Sequence, residues 1–320
     1  MRHISEVQQN LLRQDVYLPG FALSPKNNMA CSAQISATSQ ERLRFPEPES
    51  YADADTALHQ VFFANEVQSV ALLLQNTGDE TITAEVGLLL AKGANNLTSK
   101  NLVKTVQADV PPGIYWIEFP IDCRWERQQC IGLRLQPMAC LRWGYSKSEP
   151  PAITSGREDP NGKVCRMRGT YCVRLTPDSF CYDPRQIVSG VNRPDTQSNI
   201  WIAEEGFPQT VHLQWPEPIS FTQMRLTFDD NLDRPLRRIT DFQVAPELIR
   251  DYEVYALENG RWDLIVQEKD NYLRHRVHSF QKVSTQEIRI VMLSSNGCKH
   301  ARLVECQIDD SASYNKDNKE

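Results

Sequence analysis

The chain has 320 residues, of which 40% are hydrophobic and 24% are charged, so it is a folded protein long enough for two domains of ordinary size. Its net charge of -6 argues against a nucleic-acid-binding surface, because such surfaces are basic. The sequence has no apolar run of about 18 residues that would predict a membrane span, and its N-terminus lacks the apolar core of a signal peptide. We therefore expect neither nucleic acid nor membrane as a partner. The location stays open between the cytoplasm and export with a removed leader.

The first predicted element is a short helix. In "ISEVQQNLLRQ", Val7, Leu11 and Leu12 fall on one face at helical spacing, and the "LPG" that ends at Gly20 stops the helix. Residues 1–20 are thus predicted to be an N-terminal helix and connector. Beyond them the periodicity changes from helix to strand.

A first β-sandwich is predicted over residues 21–176. The runs "VQSVALLLQN" and "ITAEVGLLLA" flank "TGDE", which predicts a hairpin with Gly78-Asp79 at its tip. Residues 147–163 contain Pro-Pro, Ser-Gly and Asn-Gly pairs and are predicted to be a long loop within this domain.

A second β-sandwich is predicted over residues 177–310, followed by a disordered tail at 311–320. Its short alternating runs include "TVHLQW" and "EIRIVML", and the turn Glu258-Asn259-Gly260 predicts a hairpin. Strands about 10 residues apart with turn residues between them are typical of antiparallel sandwiches. The predicted fold class is therefore all-β, with two tandem antiparallel β-sandwiches behind a short N-terminal helix.

Nine cysteines are spread through the chain without a CxxC pair, which fits neither a zinc ribbon nor a full disulfide framework. We expect most of them to be reduced. Cys123–Cys130 and Cys172–Cys181 are the pairs to consider if the chain is exported.

The region 186–308 resembles a discoidin-type (F5/8 type C, galactose-binding-like) jelly roll. More narrowly, it resembles the C-terminal module of a group of bacterial FAD-dependent oxidoreductases. The segments that carry the resemblance are "NRP" at 192–194, "NIWIAE" at 199–204, "PQTVHLQW" at 208–215, Leu226–Leu232 and "NYLRHRVHSF" at 271–280. The resemblance implies a jelly-roll fold for both sandwiches and a ligand site on loops at one end.

One departure limits that resemblance. The flavin-binding half of such enzymes needs a GxGxxG turn between a strand and a helix, so that backbone amides approach the pyrophosphate, and this sequence has none. We therefore expect no cofactor on this chain. A flavoprotein catalytic domain becomes a candidate partner instead.

The loop before the first core strand of the second sandwich holds the first candidate ligand site, formed by Asn192, Arg193, Asn199 and Trp201. An indole ring can stack on a sugar while Arg and Asn donate to its hydroxyls. The alternative, which we favour, is that Trp201 plugs the core, because Ile200 and Ile202 flank it.

A strand over "NYLRHRVHSF" would set Arg274, Arg276 and His278 on one face, a candidate surface for an anionic sugar or an acidic partner. The alternative is that these arginines pair with acids on neighbouring strands. Zinc is not expected, because His275 and His278 would face opposite ways.

The acids Asp229, Asp230 and Asp233 offer oxygen ligands for Ca²⁺, but they lack the spacing and glycine of an EF-hand, which favours solvated turn residues instead. No catalytic residues stand out, since no acid or His lies in a nucleophile elbow or other known catalytic motif. We therefore expect a non-catalytic binding module, with carbohydrate as its ligand, bound by loops at one end of the second sandwich. The alternative is an accessory, docking portion of an FAD-dependent oxidoreductase with no ligand site of its own.

Overall fold

The computed structural model describes residues 27–90, 101–190, 198–230 and 244–310. The predicted N-terminal helix and the predicted tail lie outside these ranges. The described residues form seventeen β-strands and two short 3₁₀ helices, and all strand pairs are antiparallel. The predicted all-β, antiparallel fold is confirmed. No described helix has both the length and the apolar character needed to cross a bilayer.

The chain divides into two compact units. The C-terminal unit holds the described parts of Met1–Glu41, Tyr182–Arg193 and Asn199–Glu320, and the middle unit holds those of Arg42–Cys181 and Pro194–Ser198. The described residues 27–41 therefore group with the C-terminal unit, although the sequence predicted them as part of the first sandwich.

The C-terminal unit contains both 3₁₀ helices, Met29–Ser32 and Pro184–Val188. Its strands are β1 Gln34–Ala37, β12 Trp201–Glu205, β13 Gln209–Phe228, β14 Ile249–Glu258, β15 Arg261–Glu268, β16 His275–Ser295 and β17 His300–Asp309.

Two long strands, β13 and β16, organise this unit. The first half of β13 pairs with β1 on one side and with the second half of β16 on the other. That half of β16 also pairs with β14, and β14 pairs with β15. The second half of β13 pairs with the first half of β16 and with β17, which carries β12. The register shifts where the halves meet, between Gln214 and Ile219, and one apolar core is shared by both sets of strands.

Alternation of buried and outward residues explains these strands. Val211, Leu213 and Trp215 are buried while Gln214 between them is exposed, as expected for a strand that covers a core with one face. The predicted hairpin after Glu258 is confirmed: Asn259 and Gly260 both have positive φ, 51° and 79°, and Glu258 pairs with Arg261. Two consecutive residues with positive φ form a tight turn whose backbone twist matches the twist of the two strands that it joins.

Strand β17 is completed by a side chain from the start of the unit. Near its end β17 pairs with β13 on one side, and on that stretch Asn28 donates from Nδ2 to the carbonyl of Cys306 at 3.1 Å and accepts from the amide of Ile308 at 3.0 Å. The amide side chain of Asn28 thus makes two backbone hydrogen bonds that a neighbouring strand would otherwise make with β17.

The middle unit is a ten-stranded antiparallel sheet. Its strands are β2 Ser50–Asp53, β3 Leu58–Asn76, β4 Ile82–Leu90, β5 Leu102–Val110, β6 Gly113–Leu135, β7 Leu141–Ser146, β8 Thr154–Glu158, β9 Val164–Met167, β10 Thr170–Tyr171 and β11 Val173–Thr176. The long strands β3 and β6 pair along most of their lengths, with register shifts near their middles.

Two local predictions for this unit are wrong. The strands on either side of "TGDE" do not form a hairpin, because β3 and β4 each pair with β6 instead of with each other. The predicted loop at 147–163 contains β8, which pairs with β3 and β9 and whose first three residues are buried.

Candidate functional site

The loop before β12 does not offer an aromatic surface. Trp201 is fully buried in the core, and its indole Nε1 donates to the carbonyl of Ser39 at 3.0 Å. Asn199, at a positive φ of 48°, is also buried. Since no face of the Trp201 ring reaches solvent, it cannot stack on a sugar in this conformation, and the structural role that the sequence favoured is the one observed. Asn192 and Arg193 lie outside the described residues.

The row of basic side chains at the start of β16 is paired with acids. The Nε of Arg274 lies 3.4 Å from Oδ1 of Asp230, and Arg276 forms an ion pair with Glu268 on β15. His278 follows on the same face, with Nε2 2.8 Å from the hydroxyl of Tyr252. Burial, followed by the charge of Arg276, lowers the pKa of His278 below its ordinary value. This row is therefore a set of compensated charges and not an exposed cationic ladder.

Four segments of the C-terminal unit, residues 229–230, 244–248, 269–274 and 296–299, meet at one end of it together with Arg302 of β17, which pairs with Asp229. We call this set the loop end. Asn296 donates from Nδ2 to the carbonyls of Leu248 and Asn271, at 3.1 and 3.0 Å. Asn271, which is buried, donates in turn to the carbonyls of Ile249 and Leu273, at 2.7 and 3.1 Å.

Backbone bonds add to this frame. The amide of Phe228 donates to the carbonyl of Arg274 at 2.8 Å, and the amide of Cys298 donates to the carbonyl of Pro246 at 2.9 Å. Because two amide side chains and these backbone bonds tie the segments together, the loop end is preorganised, which lowers the entropy lost when a ligand binds.

Tyr272 is an exposed aromatic residue on this frame. It follows the buried Asn271, and it is 66% exposed, which is the largest exposure of any large hydrophobic residue among the described parts of the chain. A phenol ring is apolar on its face and polar at its tip, so it can stack on the CH face of a ring ligand and hydrogen-bond at its edge. One residue, Leu273, separates it from Arg274, so their Cα atoms lie within about 7 Å of each other.

Tyr272 is not among the ligand contacts predicted from the sequence. There, "NY" at 271–272 is only part of the resemblance, and the aromatic role is predicted for Trp201. The signal that distinguishes the two was present: Trp201 has apolar neighbours on both sides, whereas Tyr272 stands between Asn271 and a run rich in Arg and His.

Charge at the loop end is arranged in pairs. Nη1 of Arg302 on β17 lies 3.0 Å from Oδ2 of Asp229, and both side chains are mostly buried. Burial disfavours the charged form of Arg302 and by itself would lower its pKa. Asp229, Cys298 and Glu247 outweigh this effect, so the pKa of the guanidinium lies above its ordinary value.

These pairs also bear on the proposed Ca²⁺ ligands. Asp229 and Asp230 are paired with Arg302 and Arg274 and are largely buried, so they are not the solvated turn residues that the sequence favoured. A guanidinium beside each carboxylate disfavours a divalent cation there. Among the described residues, no group of three or more His, Cys, Asp or Glu side chains is arranged to hold a metal, and Asp233 lies outside them.

Other sequence features have structural roles. Trp143 in the middle unit is fully buried and stacks on Tyr171, with ring centroids 4.6 Å apart. None of the nine cysteines forms a disulfide, and this includes both members of each pair considered above.

No family model matches this chain, and no curated protein does. Several solved structures are similar to part of it. The family 32 carbohydrate-binding module of Streptococcus pneumoniae EndoD is 14% identical, over 36% of this chain and 77% of that one, with a TM-score of 0.31. The family 32 module of Clostridium perfringens NanJ, solved in complex with galactose, is 17% identical over 40% and 85%, with a TM-score of 0.29. C. perfringens CpGH89CBM32-5, solved with GalNAc-beta-1,3-galactose, is 14% identical over 40% and 83%, with a TM-score of 0.31. At these identities and scores, the likenesses assign neither a family nor a ligand to this chain.

Proposed function

We propose that the C-terminal unit is a non-catalytic carbohydrate-binding module and that it binds sugar at the loop end. The observation that carries this proposal is Tyr272, a large aromatic side chain 66% exposed on a frame that buried amides hold in place. A ring that is two-thirds exposed adds little to the core, and most of its surface is accessible to a ligand.

The polar groups of the loop end suit hydroxyl-bearing ligands. Arg274 and Arg302 supply N–H donors, and Asp229 and Asp230 supply acceptors, so both kinds of hydrogen bond that a sugar hydroxyl makes are present. Asn192, Arg193 and Asn199 from the segment before β12 remain proposed contacts, as does Arg276. Trp201 is buried and supports the fold.

The test is a glycan-array screen of the full chain, followed by titration calorimetry with the best-binding glycan. Tyr272→Ala should weaken binding about tenfold or more, because aromatic stacking contributes roughly 0.5–1.5 kcal/mol beyond the area it buries and about 1.4 kcal/mol is tenfold. Tyr272→Phe keeps the ring and should change affinity by less than about threefold.

Tyr115→Ala is the matched control, because Tyr115 is 48% exposed in the middle unit, outside the loop end. It should leave glycan binding unchanged. Equal effects of Tyr272→Ala and Tyr115→Ala would remove the loop end from the proposal, and the absence of any bound glycan would refute the carbohydrate function.

The alternative function is an accessory portion of an FAD-dependent oxidoreductase, and the resemblance over 186–308 is what favours it. That function predicts a GxGxxG-containing polypeptide encoded beside this one, and it predicts that the two proteins form a complex of fixed stoichiometry when they are mixed after purification. Binding of glycans without such a complex would decide for the carbohydrate module.

A further inference from the structure

The arginines that a sugar would meet at the loop end are already neutralised. The side chain of Arg274 is 8% exposed and faces that of Asp230, which is 20% exposed. The side chain of Arg302 is 13% exposed and faces that of Asp229, which is 15% exposed. Each cation therefore has a carboxylate beside it that is itself largely shielded from water. Such a pair is screened little by salt, so it stays paired at physiological ionic strength.

Further acids strengthen this compensation. Glu247 is 8% exposed and contributes to the raised pKa of Arg302 together with Asp229. On β15, Glu268 pairs with Arg276, the next basic residue along the same face. Every arginine of the row that the sequence suggested for an anionic sugar thus faces an acid of the protein.

The consequence for a ligand follows from electrostatics. A sugar carboxylate or sulfate that approached Arg274 would also approach Asp230, and the repulsion between like charges would offset the attraction. A neutral sugar makes hydrogen bonds with both members of the pair and meets no such penalty.

We propose that the loop end selects neutral sugars over acidic ones, and that Asp230 and Asp229 determine this selectivity by neutralising Arg274 and Arg302. This inference rests on the proposed carbohydrate-binding function. Asp230 is the more direct test, because its partner Arg274 lies on the same segment as Tyr272.

The experiment prints each neutral glycan beside its sialylated or sulfated counterpart and compares the wild-type chain with Asp230→Asn, which removes the charge and keeps the shape. The wild type should bind the neutral member of a pair at least about fivefold better than the acidic one. In Asp230→Asn that ratio should fall by at least about fivefold, because the positive charge of Arg274 is no longer compensated.

Two further variants control the result. Asp79→Asn, at an exposed position of the middle unit, should leave the ratio unchanged. The double variant Asp230→Asn with Arg274→Gln should lose the gained binding of acidic glycans, which shows that the gain comes from Arg274 and not from a loosened loop.

The outcomes distinguish a failure of the neutral selectivity from a failure of the proposed carbohydrate-binding function. Glycan binding with an equal or better signal for the acidic members would overturn the neutral selectivity and leave the carbohydrate function standing. An unchanged ratio in a folded Asp230→Asn would overturn the role given to Asp230, and it would also leave the carbohydrate function standing. Absence of binding to every glycan overturns both. If Asp230→Asn does not fold, the wild-type ratio alone decides.

Discussion

Asn28 is predicted to be one of the most sensitive polar positions of the C-terminal unit. Its side chain is buried and makes three hydrogen bonds to backbone groups: to Cys306 and Ile308 on β17, and to the amide of Ala30 in the first 3₁₀ helix. Asn28→Ala removes all three and supplies no replacement. The carbonyl of Cys306 and the amide of Ile308 then stay buried without this partner.

The magnitude follows from the cost of unsatisfied buried groups, which is about 1–3 kcal/mol each. Two such groups on β17 give a predicted loss of about 2–4 kcal/mol in the free energy of unfolding, after allowance for partial access of water. For a unit of this size, that corresponds to a decrease of roughly 5–15 °C in Tm. A typical domain is stable by about 5–15 kcal/mol, so the unit should remain folded at room temperature.

Calorimetric unfolding of wild type and Asn28→Ala measures this loss, and hydrogen exchange of peptides from β17 locates it. Exchange should become faster in β17 and stay unchanged in β3 and β6, which belong to the other unit. Ser32→Ala is a suitable control, because its hydroxyl bonds only within the first 3₁₀ helix in the described structure, donating to Met29 at 2.9 Å, and is exposed. A loss below about 0.5 kcal/mol for Asn28→Ala would refute the reasoning.

Two other predictions concern buried side chains. His59 has a fully buried side chain whose Nε2 lies 2.9 Å from Glu158, and burial lowers its pKa despite that carboxylate. Because the folded state then binds fewer protons than the unfolded state, the stability that His59 contributes is present above pH 6.5 and is lost as the pH falls below it. Thermal unfolding from pH 7.5 to 5.5 should show this slope, and His59→Gln should flatten it; an equal slope in both proteins would contradict the assignment. Trp201→Ala should lower the free energy of unfolding by about 3–5 kcal/mol, because it leaves a cavity in the core. The fraction that stays folded should bind glycans with wild-type affinity. Loss of binding by folded Trp201→Ala would show that the indole is part of the site.

Strand content was predictable from the sequence because a single buried face imposes a period of two. The run from Val211 to Trp215 and the Asn259-Gly260 turn are read directly from local rules, and both are confirmed. Pairing was harder to predict, since it depends on residues far apart in the chain. Gly78-Asp79 is a good turn sequence, but β6 pairs with the strands on both sides of it, so the local signal gave the wrong partner.

The candidate site was predicted only in part for the same reason. The basic row at 274–278 and the acids at 229–230 were both identified, but their pairing brings together segments more than 40 residues apart, which no local pattern reports. Trp201 and Tyr272 were assigned by residue type, whereas burial decides between them. A large aromatic flanked by Ile200 and Ile202 is drawn into the core, and one placed after a turn-forming Asn stays outside.

The bond between Asn28 and Cys306 also bears on synthesis, because 278 positions of the chain separate its two ends. At translation rates of about 5–20 residues per second, the first segment of the C-terminal unit waits roughly 15–55 s on the ribosome before its last strand is made. The middle unit is contiguous except for a few residues after the second 3₁₀ helix, so most of it emerges while the first segment still waits. The order of folding during synthesis is therefore expected to be the reverse of the order in which the two units begin.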